Sequence, residues 1–210
     1  MIKMETKPKE KLLTLPNGLT LLRICLVPVF LIMVLRKQAC GALLIFFAAG
    51  LTDVFDGFTA RMWHLKTKIG TLIDPIADKL LLSTAFILLT FKDMDWPYMI
   101  PLWLTAVVVS RDLIMLTGGL VIYLLKGEKN FLPSVFGKIS TVLQVGTVFL
   151  VLLGNYVQTS SWSRSPFLFS LTSPSFLSVF FVTTLASTVV SGAHYILRGI
   201  SMAFFTPKIG

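Results

Sequence analysis

Apolar residues fall into six long runs separated by short polar stretches. They cover roughly Leu19 to Leu35, Gly41 to Met62, Leu72 to Phe91, Pro97 to Leu125, Ile139 to Tyr156 and Phe176 to Leu197. Each is long enough, or nearly so, to cross a hydrocarbon core about 30 Å thick. Lone strands cannot satisfy their backbone in lipid, so each run predicts a helix. The expected fold is an all-α integral membrane protein with six transmembrane helices, built as one domain over residues 1–210. Residues 1–14 form a basic N-terminal segment.

Composition agrees. Of 210 residues, 55% are hydrophobic and 14% charged, and mean hydropathy is +0.82. Soluble domains carry about 25% charged residues. The same numbers exclude disordered, collagenous and disulfide-rich secreted chains. Cys25 and Cys40 lie in or beside apolar runs and read as small buried hydrophobes. The N-terminal basic segment lacks the pattern of a cleavable signal peptide. Thr159 to Ser175 is Ser- and Pro-rich and reads as an outer loop.

Net charge is +9. Its placement sets the orientation. Six spans put both termini on one side, with Lys3, Lys7, Lys9, Lys11, Arg61, Lys66, Lys68, Lys126, Lys129, Lys138, Arg198 and Lys208. The other side has Arg36, Lys37, Lys92 and Arg164. This bias makes both termini cytoplasmic and explains the excess without nucleic acid. Asp93 and Asp95, beside Trp96 and Tyr98, read as solvated acids in an interfacial aromatic belt.

Four acids resist such a reading. Asp53, Asp56, Asp74 and Asp78 sit toward the cytoplasmic ends of the second and third spans. A carboxylate there costs several kcal/mol unless paired or metal-bound. Spacings of three and four put each pair on one helix face. A short loop, Trp63 to Ile69, makes the two helices antiparallel neighbours, so the four carboxylates converge and must be neutralised. Oxygen-only ligands suit a hard cation, Mg2+ or Mn2+, and four carboxylates suffice for two ions. Asp112, in the fourth run, is grouped with the acids outside this cluster. Gly57 and Ala60 allow close backbone approach, which small-residue helix packing also explains. Arg61 suits a phosphate, although a positive helix-end anchor also explains it.

Asp53, Asp56, Gly57, Ala60, Arg61, Gly70, Asp74 and Asp78 spell D-x2-D-G-x2-A-R-x8-G-x3-D-x3-D. That pattern resembles the signature of the CDP-alcohol phosphotransferase family. The resemblance implies an enzyme that moves a phosphatidyl or related group from a CDP-linked donor to an alcohol, releasing CMP. It implies that Asp53, Asp56, Asp74 and Asp78 hold two divalent ions, with Asp78 also the general base. It implies a CDP site formed by Asp53, Asp56, Gly57, Ala60, Arg61 and Gly70. It further implies a homodimer in the cell membrane with its active site on the cytoplasmic face, among membrane lipids.

Leu15, Pro16, Asn17, Leu19, Thr20, Arg23 and Pro28 are similar to the opening of the family's glycerol-phosphate and cardiolipin branch. The donor implied is CDP-diacylglycerol, and the expected acceptor is glycerol 3-phosphate. Arg111 and Lys138 are candidate acceptor-binding cations. Two departures favour phosphatidylglycerol as the alternative acceptor. Ser140 stands where bacterial glycerol-phosphate enzymes carry a second lysine, and Gly119 where they tend to carry a further arginine. Lys79 reads as a partner for Asp78 or its neighbours. A small cation transporter is the non-enzyme alternative, but it predicts acids nearer the bilayer midplane.

Overall fold

The computed structural model describes residues 15–63, 79–91, 96–126, 135–160 and 166–205. Every regular element among the described residues is a helix. In chain order these are α1 (Leu15–Leu35), α2 (Ala39–Trp63), α3 (Lys79–Leu88), α4 (Leu102–Lys126), α5 (Val135–Thr159), α6 (Pro166–Leu171) and α7 (Pro174–Phe205). Each apolar run therefore carries a helix, most of them reaching a few residues beyond the run. The stretch read as an outer loop, Thr159 to Ser175, contains the short α6.

The turn from α1 to α2 is tight. The Lys37 N–H donates to the Val34 carbonyl and the Gln38 N–H to the Met33 carbonyl, each at 3.0 Å. This pair of bonds closes the helix end and requires a left-handed residue between them. Lys37 supplies it, at φ 57°. Next, α1 packs on α2, α2 on α5, α5 on α7, and α7 on α4. The core is apolar along this path, with Phe30, Val34, Phe46, Phe86, Leu104, Val148 and Leu152 buried. The ring of Phe30 meets that of Phe46 with centroids 6.0 Å apart.

The outside is also apolar. Leu21, Leu44, Phe47, Leu80, Ile87, Leu113, Val142, Val182 and Val189 are all exposed, and they lie on every long helix. Buried polar residues lie between helices instead: Arg23, Thr105, Arg111, Asp112, Ser140, Gln144, Thr147, Thr184, Thr188 and Ser191. Grease outward and hydrogen-bonding groups inward is the arrangement that lipid demands. By length and hydropathy, Val135–Thr159 and Pro174–Leu197 are each able to cross a membrane. Among the other described helices, the continuous apolar stretches Leu21–Leu35, Ala39–Thr52 and Lys79–Leu88 are shorter.

Two expectations are corrected. Cys25 and Cys40 are exposed free thiols, not buried fillers. A thiol is apolar enough to face lipid, so its place in an apolar run did not fix its burial. Trp96 is buried rather than interfacial. The chain beside it is clamped: the Asn155 Oδ1 accepts the Tyr98 N–H and the Asn155 Nδ2 donates to the Tyr98 carbonyl, both at 2.9 Å. Asp93 and Asp95 lie outside the described residues.

Asn155 is fully buried, and its amide completes both hydrogen bonds of one peptide segment. Asn155→Ala should therefore strand a donor and an acceptor and cost about 2 kcal/mol or more. Thermal unfolding in detergent checks this, and an unchanged midpoint would show that the clamp carries no stability.

Candidate active site

The motif begins on α2. In the described part of this helix Ala42, Phe46 and Ala49 are buried, a stripe with steps of four and three. Those steps keep one face of an α-helix turned to its neighbours. The helix runs unbroken to Trp63, so its backbone carries the same register on to positions 53, 56 and 60. Positions 57 and 61 follow directly after 56 and 60. Asp53, Asp56 and Ala60 follow the buried positions in sequence at the same steps of four and three. Side chains from residue 53 to the end of α2 lie outside the described residues, as do Gly70, Asp74 and Asp78 altogether. The donor set itself is carboxylate only, which fits a hard divalent cation and not zinc.

Residues flanking the motif are described. Lys79, directly after Asp78, is the first described residue of α3. Its Nζ donates to both oxygens of Asp112 on α4 at 2.8 Å. The Arg111 Nη1 donates to the Asp112 Oδ1 at 2.6 Å. Its Nη2 donates to the Ser191 Oγ on α7 at 2.9 Å. Arg111 and Asp112 are 5% and 3% exposed. One buried carboxylate therefore holds two cations and ties α3 and α4 together, while Arg111 carries the tie to α7. A buried charge survives only when paired and hydrogen-bonded in this way.

A neutral seam adjoins it. Ser140 on α5 and Thr188 on α7 share a hydrogen bond of 3.2 Å, and the Gln144 Nε2 donates to both hydroxyls at 3.3 Å. One turn along, Thr147 and Thr184 share a bond of 2.9 Å. Ser140, which stands at the place of a second lysine in the sequence comparison above, is thus an uncharged strut between helices. Lys138 is exposed at the start of α5. Arg111 also lines an apolar groove of about 430 Å³ between α4 and α7, together with Ala106, Ser110, Ile114, Gly192 and Tyr195.

The sequence offers Arg111 as a candidate cation, sets Asp112 among the outlying acids and pairs Lys79 with Asp78 or its neighbours, whereas the structure pairs both cations with Asp112. An acid inside an apolar run of that length was itself the signal. Its partners were not readable, because Lys79 lies 33 positions away and Ser191 is 80 from Arg111.

The family profile of CDP-alcohol phosphatidyltransferase matches residues 13–190. The chain belongs to the CDP-alcohol phosphatidyltransferase family. The match takes in both the α2 register and the ion cluster. Among CDP-alcohol phosphatidyltransferase relatives, the chain is 41% identical to a cardiolipin synthase (CMP-forming) of Rattus norvegicus over 112 residues, 53% of this chain and 35% of the relative. It is 37% identical to the cardiolipin synthase (CMP-forming) of Streptomyces coelicolor over 113 residues, 51% of this chain and 50% of that one. A CDP-diacylglycerol–glycerol-3-phosphate 3-phosphatidyltransferase of Bacillus subtilis is 33% identical over 196 residues, covering 86% of this chain and 92% of the relative. The chain thus spans half or less of the length of these cardiolipin synthases, but nearly all of the Bacillus relative.

The guanidinium of Arg111 satisfies Asp112 and Ser191 with separate nitrogens. A lysine has one nitrogen and lacks the fork. Arg111→Lys should therefore cost about 1–3 kcal/mol, read from thermal unfolding in detergent. A midpoint equal to that of the unaltered protein would show that the fork is dispensable.

Proposed function

We propose that this protein is a CDP-diacylglycerol-dependent phosphatidyltransferase that hands a phosphatidyl group to a glycerol-type alcohol and releases CMP. The observation that carries the reading is the family match over residues 13–190, which takes in the whole motif, with α2 an unbroken helix through its first half. Asp53, Asp56, Asp74 and Asp78 would hold two Mg2+ or Mn2+ ions, which neutralise the donor pyrophosphate and the charge growing on the CMP leaving group. Gly57, Ala60 and Gly70 leave room for the nucleotide, and Arg61 offers a guanidinium to its phosphates. Asp78 takes the proton of the attacking hydroxyl. The acceptor oxygen then bonds to the phosphatidyl phosphorus as the bond to CMP breaks. Arg111 grips the phosphate of the acceptor.

Two acceptors fit this chemistry. Glycerol 3-phosphate fits the relative that matches over nearly its full length. The geometry favours phosphatidylglycerol. Ser140 is neutral and spent on Thr188, and Lys138 is exposed, so Arg111 has little cationic help with a doubly charged phosphate. The apolar groove beside Arg111 suits a lipid better than a water-soluble acceptor. We further propose six membrane spans with both termini cytoplasmic, an active site at the cytoplasmic face of the cell membrane, and pairing of two copies. The charge bias of the loops supports this orientation.

Purified protein should release CMP from CDP-diacylglycerol only with a divalent ion present, and turnover in excess EDTA would defeat the metal reading. Asp56→Asn and Asp74→Asn should abolish release in a folded protein, and Asp78→Asn should slow it by about 10² or more. Glycerol 3-phosphate and phosphatidylglycerol, offered separately, decide the acceptor. Arg111→Ala should raise the acceptor KM far more than the donor KM, as expected for lost uniform binding.

Cysteine labelling tests the orientation, once the exposed native Cys25 and Cys40 are replaced. Labels at positions 66 and 129 should react from the cytoplasmic side, and labels at positions 93 and 163 from outside. Reaction of position 66 from outside would overturn the topology.

A further inference from the structure

Arg111 and Asp112 are neighbours in sequence. Consecutive residues on an α-helix point about 100° apart, so their side chains do not ordinarily face each other. Arg111 reaches Asp112 only by laying its side chain sideways around α4. That leaves the Nη2 directed across to Ser191, and the aliphatic part of the side chain passes close to Gly192. The guanidinium plane is thereby held at two points, on two different helices. The Asp112 carboxylate meanwhile receives Lys79 on both oxygens. Lys79 is bonded in sequence to Asp78, so this ion pair also anchors the first described residue of α3.

We infer that Asp112 is a positioning residue for the acceptor. It fixes the guanidinium of Arg111 where an acceptor phosphate meets it, and it pins α3 at the residue following Asp78. The inference rests on the proposed role of Arg111. Charge supports it. Lys79, Arg111 and Asp112 together carry one net positive charge, so the cluster can balance its own buried acid and still attract one anionic phosphate. Asp112 thus acts through Arg111 and need not touch the substrate.

The test uses the full chain in mixed lipid–detergent micelles, with Mg2+, CDP-diacylglycerol and each acceptor, following CMP release. Asp112→Asn should raise the acceptor KM about tenfold or more, the worth of a lost charge-assisted bond, with the donor KM little changed. Asp112→Glu, which keeps the charge, should recover most of the loss. Ser191→Ala, which frees the other end of the same guanidinium, should raise the acceptor KM as well. In an Arg111→Ala background, Asp112→Asn should add nothing further to the acceptor KM, because residues acting through one group are not additive. A merely structural role predicts otherwise: donor and acceptor KM rising together, full additivity with Arg111→Ala, and no effect of Ser191→Ala. Any of these overturns the inference. If Asp112→Asn fails to fold, an unchanged acceptor KM in Ser191→Ala overturns it alone. Absence of CMP release from the unaltered protein with every acceptor would instead sink the transferase reading itself.

Discussion

A polar group in hydrocarbon finds no water, so its partner must come from the protein. That constraint organises this chain. It turns Leu, Val, Ile and Phe outward on every long helix and gathers hydroxyls, amides and charges between helices. Association of such helices gains little from burying grease, since the surroundings are as apolar as the interior. Close packing and hydrogen bonds across the seams must supply the specificity. Here they are the hydroxyl pairs between α5 and α7, the amide of Asn155 at Tyr98, and the carboxylate of Asp112 between α3 and α4.

The same constraint gives the candidate site its character. Acids beside apolar helix are costly unless something cationic meets them. For Asp112 that something is protein: Lys79 and Arg111. For the four motif aspartates the sequence offered one such partner, Lys79, and Lys79 pairs with Asp112, so metal is the proposal. The chain therefore contains two kinds of carboxylate. One is neutralised permanently and serves geometry. The others, on this reading, await ions and serve chemistry.

Much of this was legible in the sequence. Among the described residues each of the six apolar runs carries a helix, the form in which a long apolar run satisfies its own backbone. Spacing alone put Asp53 and Asp56 on a helix, and α2 is an unbroken helix through both positions. What was not legible was which way a residue in or beside an apolar run points. Cys25 and Cys40 face outward, Trp96 inward, and Asp112 into a junction of helices, and hydropathy treats each run as uniform. Nor could α6 be read from a short Ser- and Pro-rich stretch. Long-range partners such as Ser191 for Arg111 depend on how helices rotate against one another. A single sequence without packing does not encode that visibly.

The seam between α5 and α7 differs in kind from the ion cluster beside it. Its hydroxyls are donors and acceptors at once, and Ser140, Thr147, Thr184 and Thr188 are nearly interchangeable as partners. If one helix slides along the other, a hydroxyl that leaves one partner can meet another of the same chemistry. The ion cluster allows no such exchange, because its fork, carboxylate and ammonium fit in one register only. The molecule thus has a lubricated joint set against a keyed one. Sliding motions are expected to run along the α5–α7 seam, while the α3–α4 contact keeps its alignment throughout.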